Sequence, residues 1–266
     1  MESIGSVTLM TSGSTKLPDA DIIVDEIPYS GDFNMSMDAA LLQLAAERDQ
    51  SVVRIYQWSE PTVSLGYFQG SGHTVESPFP GLPVVRRLSG GGAILHDQEI
   101  TYSLVLPASH PARLNPSAVY PTVHRAIIRL LSHAGVPCQL RSEFDAMNSR
   151  TAVTNSGTAA EPFLCFLRKN ENDIVHASGN KIVGSAQRRR KGVTLQHGSI
   201  ILKTSRVVPQ VPGIEELEPG FSNVGFRESL PGMIARSISH SMNFRSYTEA
   251  EKSLAAAIAS ERSGTC

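Results

Sequence analysis

The chain has 266 residues and a formal net charge of -1, with 25 acidic side chains against 24 Lys and Arg, and three cysteines. That length suits one large domain with a substantial core, and the balanced charge supplies no global field for nucleic acid. No apolar run approaches the roughly 20 residues that a spanning helix needs, and an odd cysteine count without an apolar leader points to free thiols, a reducing cytoplasm and no membrane.

Residues 1–20 are rich in Ser, Thr and Gly and read as a loose arm; residues 21–266 read as a single domain. A strand is expected over residues 21–27, then a helix over 36–48 with Asn34 as its N-cap. Residues 52–58 and 62–68 alternate in strand fashion around Pro61 and predict a hairpin. A strand over 83–87 runs into Gly90, Gly91 and Gly92, and strands over 93–96 and 100–106 follow, joined by a turn at 97–99. Residues 120–135 predict a helix with Pro121 in its first turn, Val123, Ile127, Leu130 and Leu131 on one face, and Gly135 at its end. A strand starts at 136–140, the chain is then polar and small to residue 162, with an exposed loop at 155–160, and the apolar run 163–166 follows. Residues 173–177 and 180–183 predict a hairpin turning at Ser178 and Gly179, and short strands recur at 193–195 and 200–202. A helix is expected over 230–241, and Thr248 with Glu251 has the form of a capping box for a last helix to residue 261. This order predicts an α+β fold, a mixed sheet covered by helices on one side.

Several residues in this frame carry chemistry. Lys181 lies between Gly179 and Gly184 in an apolar run, either with a partly desolvated ammonium held against a reacting group or with its stem packed on an edge strand. The triple glycine, entered from Arg86 and Arg87, offers a backbone that a ligand can approach closely and two guanidiniums for an anionic or polarised group. It lacks the Gly-Lys-Ser/Thr of a phosphate-binding loop. His96 and His197 have no metal-ligand spacing to another His or Cys, and Cys138, Cys165 and Cys266 match no zinc or redox pattern, so no metal is expected. Trp58, Tyr67 and Phe68 fit core packing or the wall of an apolar slot equally well, and Arg188 to Lys191 fit either a solvated hairpin tip or a docking point for an acidic partner.

The run Arg86-Arg-Leu-Ser-Gly-Gly-Gly-Ala-Ile-Leu-His-Asp97 resembles the RRxSGGGxxxHD signature of the lipoate-protein ligase A and octanoyltransferase family. Gly179-Asn-Lys-Ile-Val-Gly-Ser-Ala-Gln187 and Gln196-His-Gly198 are similar to its second and third motifs, and residues 34–42 and 62–69 to its opening helix and following strand. The resemblance implies the biotin/lipoate ligase catalytic fold, an α+β sandwich with the acyl chain in a tunnel and the family lysine at Lys181. The GRGRRG-type loop of biotin ligases is absent.

Within the family, the branch that takes an octanoyl group from acyl carrier protein onto a cysteine keeps a Cys-Phe pair shortly before that lysine, and Cys165-Phe166 stands sixteen residues ahead of Lys181. The resemblance therefore implies an octanoyltransferase with Cys165 as nucleophile and Lys181 stabilising its thiolate, against the bland reading of Cys165 as a buried inert thiol. Substrate contacts are expected from Arg86, Gly90, Gly91, Gly92, Ala93, His96, Gly184, Ser185, Ala186, His197 and Gly198. The expected partners are acyl carrier protein and the lipoyl domains of 2-oxoacid dehydrogenases or the glycine cleavage H protein, with no cofactor. Asn172-Asp173-Ile174 resembles the ligase branch, which would use ATP and Mg, although the stretch after Leu202 is short for the accessory domain many ligases append. A non-catalytic binder of acyl carrier or lipoyl domains is the third reading.

Overall fold

The computed structural model describes residues 17–69, 79–148 and 163–263; the expected arm to residue 16, the loop at 155–160 and Cys266 lie outside them. The chain forms β1 (Ala20–Val24), α1 (Gly31–Leu44), β2 (Ser51–Tyr56), β3 (Thr62–Leu65), β4 (Val84–Arg86), β5 (Ile94–His96), β6 (Glu99–Leu106) and α2 (Val119–His133). There follow β7 (Cys138–Leu140), α3 (Arg141–Asn148), a 3-10 turn at Cys165–Leu167, β8 (Ile174–His176), β9 (Lys181–Arg190), β10 (Val193–Ile201), α4 (Ile214–Leu217), α5 (Asn223–Ile238), β11 (Met242–Phe244) and α6 (Glu249–Ser263). An eight-stranded mixed sheet runs β11-β1-β2-β6-β10-β9-β8-β7, and a three-stranded sheet runs β4-β3-β5.

The expected hairpin of residues 52–58 with 62–68 does not form. β2 pairs with β1 and β6, whereas β3 leaves for the small sheet and pairs with β4 and β5. Pro61 and the turn before it redirect the chain between layers. Helices also cover both faces of the large sheet, not one. Val53, Ile55, Tyr102, Leu104 and Ile200 pack with α2 and α5, while Val52, Val105, Val193 and Leu195 pack with Met37, Leu41 and Ala255 of α1 and α6. Strands apolar on both faces need two covers, and each fully buried Val, Ile or Leu contributes about 1.5–3 kcal/mol.

Local signals explain the element ends. α2 stops at Gly135, whose φ of 82° is open to glycine, with Gly135 N donating to Ser132 O and Val136 N to Leu131 O, a Schellman closure. Thr248 and Glu251 cap α6 reciprocally, Thr248 N to Glu251 Oε2 at 2.8 Å and Glu251 N to Thr248 Oγ1 at 3.3 Å. The N-cap of α1 is Ser30 rather than Asn34. Asn34 is buried inside the helix, donating to the Tyr29 and Gln57 carbonyls and accepting from Arg54, so its polarity ties α1 to β2. No helix among the described residues is long and apolar enough to cross a membrane.

Candidate active site

A cavity lies between the two sheets. Its walls include Met35 and Tyr56 on one side, Ser64, Arg87, Ile94 and His96 from the small sheet, and Gly184 to Ala186 with His197 to Ser199 from β9 and β10. Cys165 and Phe166 close it. Most of its exposed lining is apolar, as in small-ligand sites.

The triple glycine is shaped by Arg87, only 2 % exposed. Its Nη2 donates to the Gly90 and Gly92 carbonyls, each at 2.7 Å, and its Nη1 to the Ser64 carbonyl at 2.9 Å, so one guanidinium pins the loop to β3. Gly91 takes a φ of 97°, and the point where a Cβ would sit on it is 3.1 Å from Arg87 Nη2 and 3.9 Å from Cys165 Sγ. Burial pulls the Arg87 pKa down to about 10, a Cys165 thiolate opposing and Arg168 adding to the fall. It remains a cation at neutral pH.

Cys165 opens its 3-10 turn and is strapped to the small sheet, its amide donating to the Ala93 carbonyl at 2.7 Å and the Ala93 amide to the Phe163 carbonyl at 3.0 Å. Lys181, 7 % exposed, donates from Nζ to the Cys165 carbonyl at 3.2 Å and pairs with Asp173 Oδ1 at 3.0 Å. Its ammonium also stands 5.1 Å from the centre of the Phe166 ring. Burial pushes the Asp173 carboxyl up, against the lowering pull of Lys181. Gly184 makes this fold-back possible, since a Cβ there would meet Lys181 Cε at 2.6 Å.

Both candidate histidines sit in buried relays. His96 stacks on Trp58, ring centroids 3.9 Å apart; its Nδ1 meets Glu99 Oε1 at 2.8 Å and its Nε2 meets Ser64 Oγ at 2.7 Å. Burial lowers its pKa despite Glu99, so it is neutral, donating from Nδ1 to the carboxylate and accepting from the Ser64 hydroxyl. His197 bridges Ser89, which heads the glycine loop, to Asp38 Oδ2 at 3.3 Å. Burial raises the Asp38 pKa, but the His197 hydrogen bond, the Arg54 charge and the Ser103 hydroxyl outweigh it and hold the carboxyl low. Arg54, wholly buried, anchors the relay through Asp38 at 3.2 Å and Asp25 at 2.7 Å. The relay therefore ties α1 and β2 to the loop beside Cys165.

Cys165, His96, Gly184, Ser185, Ala186, His197 and Gly198 thus line one cavity, and Lys181, Gly90, Gly91, Gly92 and Ala93 adjoin it. The Ala93 amide is spent on Phe163 and is not available to a ligand. Arg86 turns away from the cavity to the Gly66, Tyr67 and Gln69 carbonyls, a structural tie where a substrate contact was expected. Arg87 takes the inward place, because neighbouring strand residues point to opposite faces. Asp173 and the relay residues Asp38, Arg54, Glu99, Ser64 and Ser89 were not singled out for the site in the sequence; the signal for Asp173 was an acidic residue at the head of the lysine hairpin. Among the described residues no group of three His, Cys, Asp or Glu is placed to hold a metal ion.

A family model described as the lipoyl protein ligase A/B catalytic domain matches residues 30–209. The chain is 36% identical over 192 residues to octanoyltransferase LipM of Anoxybacillus flavithermus, covering 67% of this chain and 64% of that protein. It is 34% identical to octanoyltransferase LipM of Staphylococcus aureus over 181 residues, 65% of this chain and 62% of that one. The match thus spans under two thirds of these relatives' length. In fold, it is similar to a bi-partite lipoate protein ligase from Thermoplasma acidophilum, with a TM-score of 0.63 at 21% identity over 92% of this chain and 93% of the other. A lipoate-protein ligase A bound with ATP aligns with a TM-score of 0.62 at 21% identity, over 91% and 95%.

Proposed function

The chain belongs to the lipoyl protein ligase A/B catalytic domain family, and from that premise we propose that it is an octanoyltransferase working through a thioester on Cys165. The acyl group comes from acyl carrier protein and goes to a lysine of a lipoyl domain. The observation that carries this reading is the position of Cys165, at the wall of an apolar cavity and between the buried cations Arg87 and Lys181.

In the first half-reaction the thiolate pair of Cys165 forms a bond to the octanoyl carbonyl carbon, the carbon-sulfur bond to the carrier breaks, and the carrier leaves as a thiol after taking up one proton. In the second, the neutral amine of the acceptor lysine attacks the thioester, the amide forms with loss of one proton, and Cys165 leaves again as thiolate. The amides of Gly91 and Gly92, which carry no partner among the described residues, are the donors assigned to the developing oxyanion. Lys181 holds the Cys165 carbonyl and with it the turn that aims the sulfur. The route consumes no ATP.

Transfer from octanoyl-acyl carrier protein to a purified lipoyl domain, with and without ATP, tests the reading. Octanoylation of the domain without ATP is expected. Modification that requires ATP and free octanoate would replace it with the ligase reading, and no transfer under either condition would leave a binding protein.

A further inference from the structure

We propose that Arg87, rather than Lys181, is the counter-charge of the Cys165 thiolate. The inference deepens the transferase reading and rests on Cys165 being its nucleophile. Arg87 Nη2 and Cys165 Sγ lie 3.1 and 3.9 Å from one point above Gly91, which bounds their separation by the sum of the two distances. Every hydrogen-bond acceptor that Arg87 has among the described residues is neutral, the Ser64, Gly90 and Gly92 carbonyls and the Ser64 hydroxyl. Its charge is thus fixed, buried and matched by no carboxylate among them. Lys181 is nearly as buried but differs in its counter-ion: its ammonium is paired with Asp173 at 3.0 Å and donates to the Cys165 carbonyl. A buried cation with a carboxylate on it presents little net charge to a third group.

The other charged or titratable groups about the sulfur act less. Arg168, half-buried at the end of the same turn, lies against Gly92 and is more open to solvent screening. His96 and His197 on the far walls are engaged by Glu99 and Asp38. The neutral cradle of Arg87 has a second consequence. Because Arg87 holds the Gly90 and Gly92 carbonyls, the same side chain sets the glycine loop and supplies the field at the sulfur.

The test is the rate of Cys165 alkylation by iodoacetamide against pH, in a Cys138→Ser, Cys266→Ser background of the full chain so that one thiol reports. It needs no acyl donor, so it stands apart from whether octanoyl transfer occurs. Arg87→Gln should raise the alkylation midpoint by about one unit, the order of the Coulomb interaction of two charges within the bounded separation in a partly screened site, and Arg87→Lys should restore part of it. Lys181→Met with Asp173→Asn, which removes a neutral pair as a neutral pair, should leave the midpoint within a few tenths of a unit. A midpoint that rises by a unit in the double variant, or stays put in folded Arg87→Gln, overturns the proposal. If Arg87→Gln does not fold, the double variant decides alone, no movement supporting Arg87 and a rise of a unit excluding it.

Discussion

Lys181 and Arg87 both reach Cys165 from buried positions, one through its carbonyl oxygen and the other across the glycine loop, yet among the described residues only Lys181 has a carboxylate on it. Lys181 with Asp173 is a closed pair that holds backbone in place, and Arg87 is an open cation whose bonds to neutral groups leave its field directed at the sulfur. Burial is nearly the same for the two. What separates a structural cation from an electrostatic one here is therefore its counter-ion, not its depth or its distance along the chain.

The largest change follows from removing the anion that Arg87 faces. Cys165→Ser is nearly isosteric and should lower transfer on the order of 10³-fold or more while leaving the thermal midpoint within a few degrees, since an alkoxide is not accessible at neutral pH. Cys138→Ser should transfer at the wild-type rate; burial raises the Cys138 pKa to about 12 and no cation offsets it. A folded Cys165→Ser protein with wild-type transfer would remove the reason for the whole arrangement.

Opening the closed pair makes Lys181 resemble Arg87. Asp173→Ala leaves a buried ammonium unmatched and should destabilise the protein by about 3 kcal/mol in urea unfolding. Lys181→Met added to Asp173→Asn should recover most of that loss. Equal stabilities for the single and double variants would show that the pair is not closed at all.

His124, behind the closed pair, tests how dry this wall of the site is. Burial pushes its pKa down to about 4 and the Lys181 ammonium adds to the fall, while the Asn172 carbonyl opposes. The folded value lies below the unfolded value of about 6.5, so the unfolded chain binds the proton more readily. The contribution to stability is full above pH 6.5 and is lost as pH falls towards 4, about 3 kcal/mol in all. Urea titrations across that window should show the slope in the wild type and a flatter one in His124→Gln, which keeps hydrogen-bonding groups near Asn172 and Ser185.

The smallest expected effect comes from one methyl group. Gly184→Ala places a Cβ 2.6 Å from Lys181 Cε and must move the side chain off the Cys165 carbonyl or off Asp173. An overpacking cost of about 1–3 kcal/mol is expected, with kcat for transfer falling and the Cys165 alkylation midpoint unchanged. A moved midpoint would mean that Lys181 contributes to the field after all.

Much of this was legible before the fold was known, where a single residue decides a local geometry. Gly135 stops α2, Gly179 turns the β8–β9 hairpin with a φ of 85°, and Thr248 with Glu251 starts α6. Cys165, Lys181 and the glycine triplet were picked out through the family resemblance, and the structure brings them together around one cavity. The β2–β3 hairpin misled because alternation reports a strand and not its partner, and both strands found better partners in different sheets. Asn34 carries a cap residue's chemistry and uses it inside a helix on Arg54. Arg86 and Arg87 were indistinguishable in sequence, since which of two adjacent residues faces inward depends on the register of β4 against β3, a long-range property.

The central claim is that the acyl group rests on Cys165. Mixing the protein with octanoyl-acyl carrier protein in the absence of ATP and of acceptor, quenching in acid and mapping peptides by mass places the adduct directly. One octanoyl group on the peptide that contains Cys165, absent in Cys165→Ser and discharged when lipoyl domain is added, is the predicted result; transfer that proceeds with no adduct at Cys165 would contradict it.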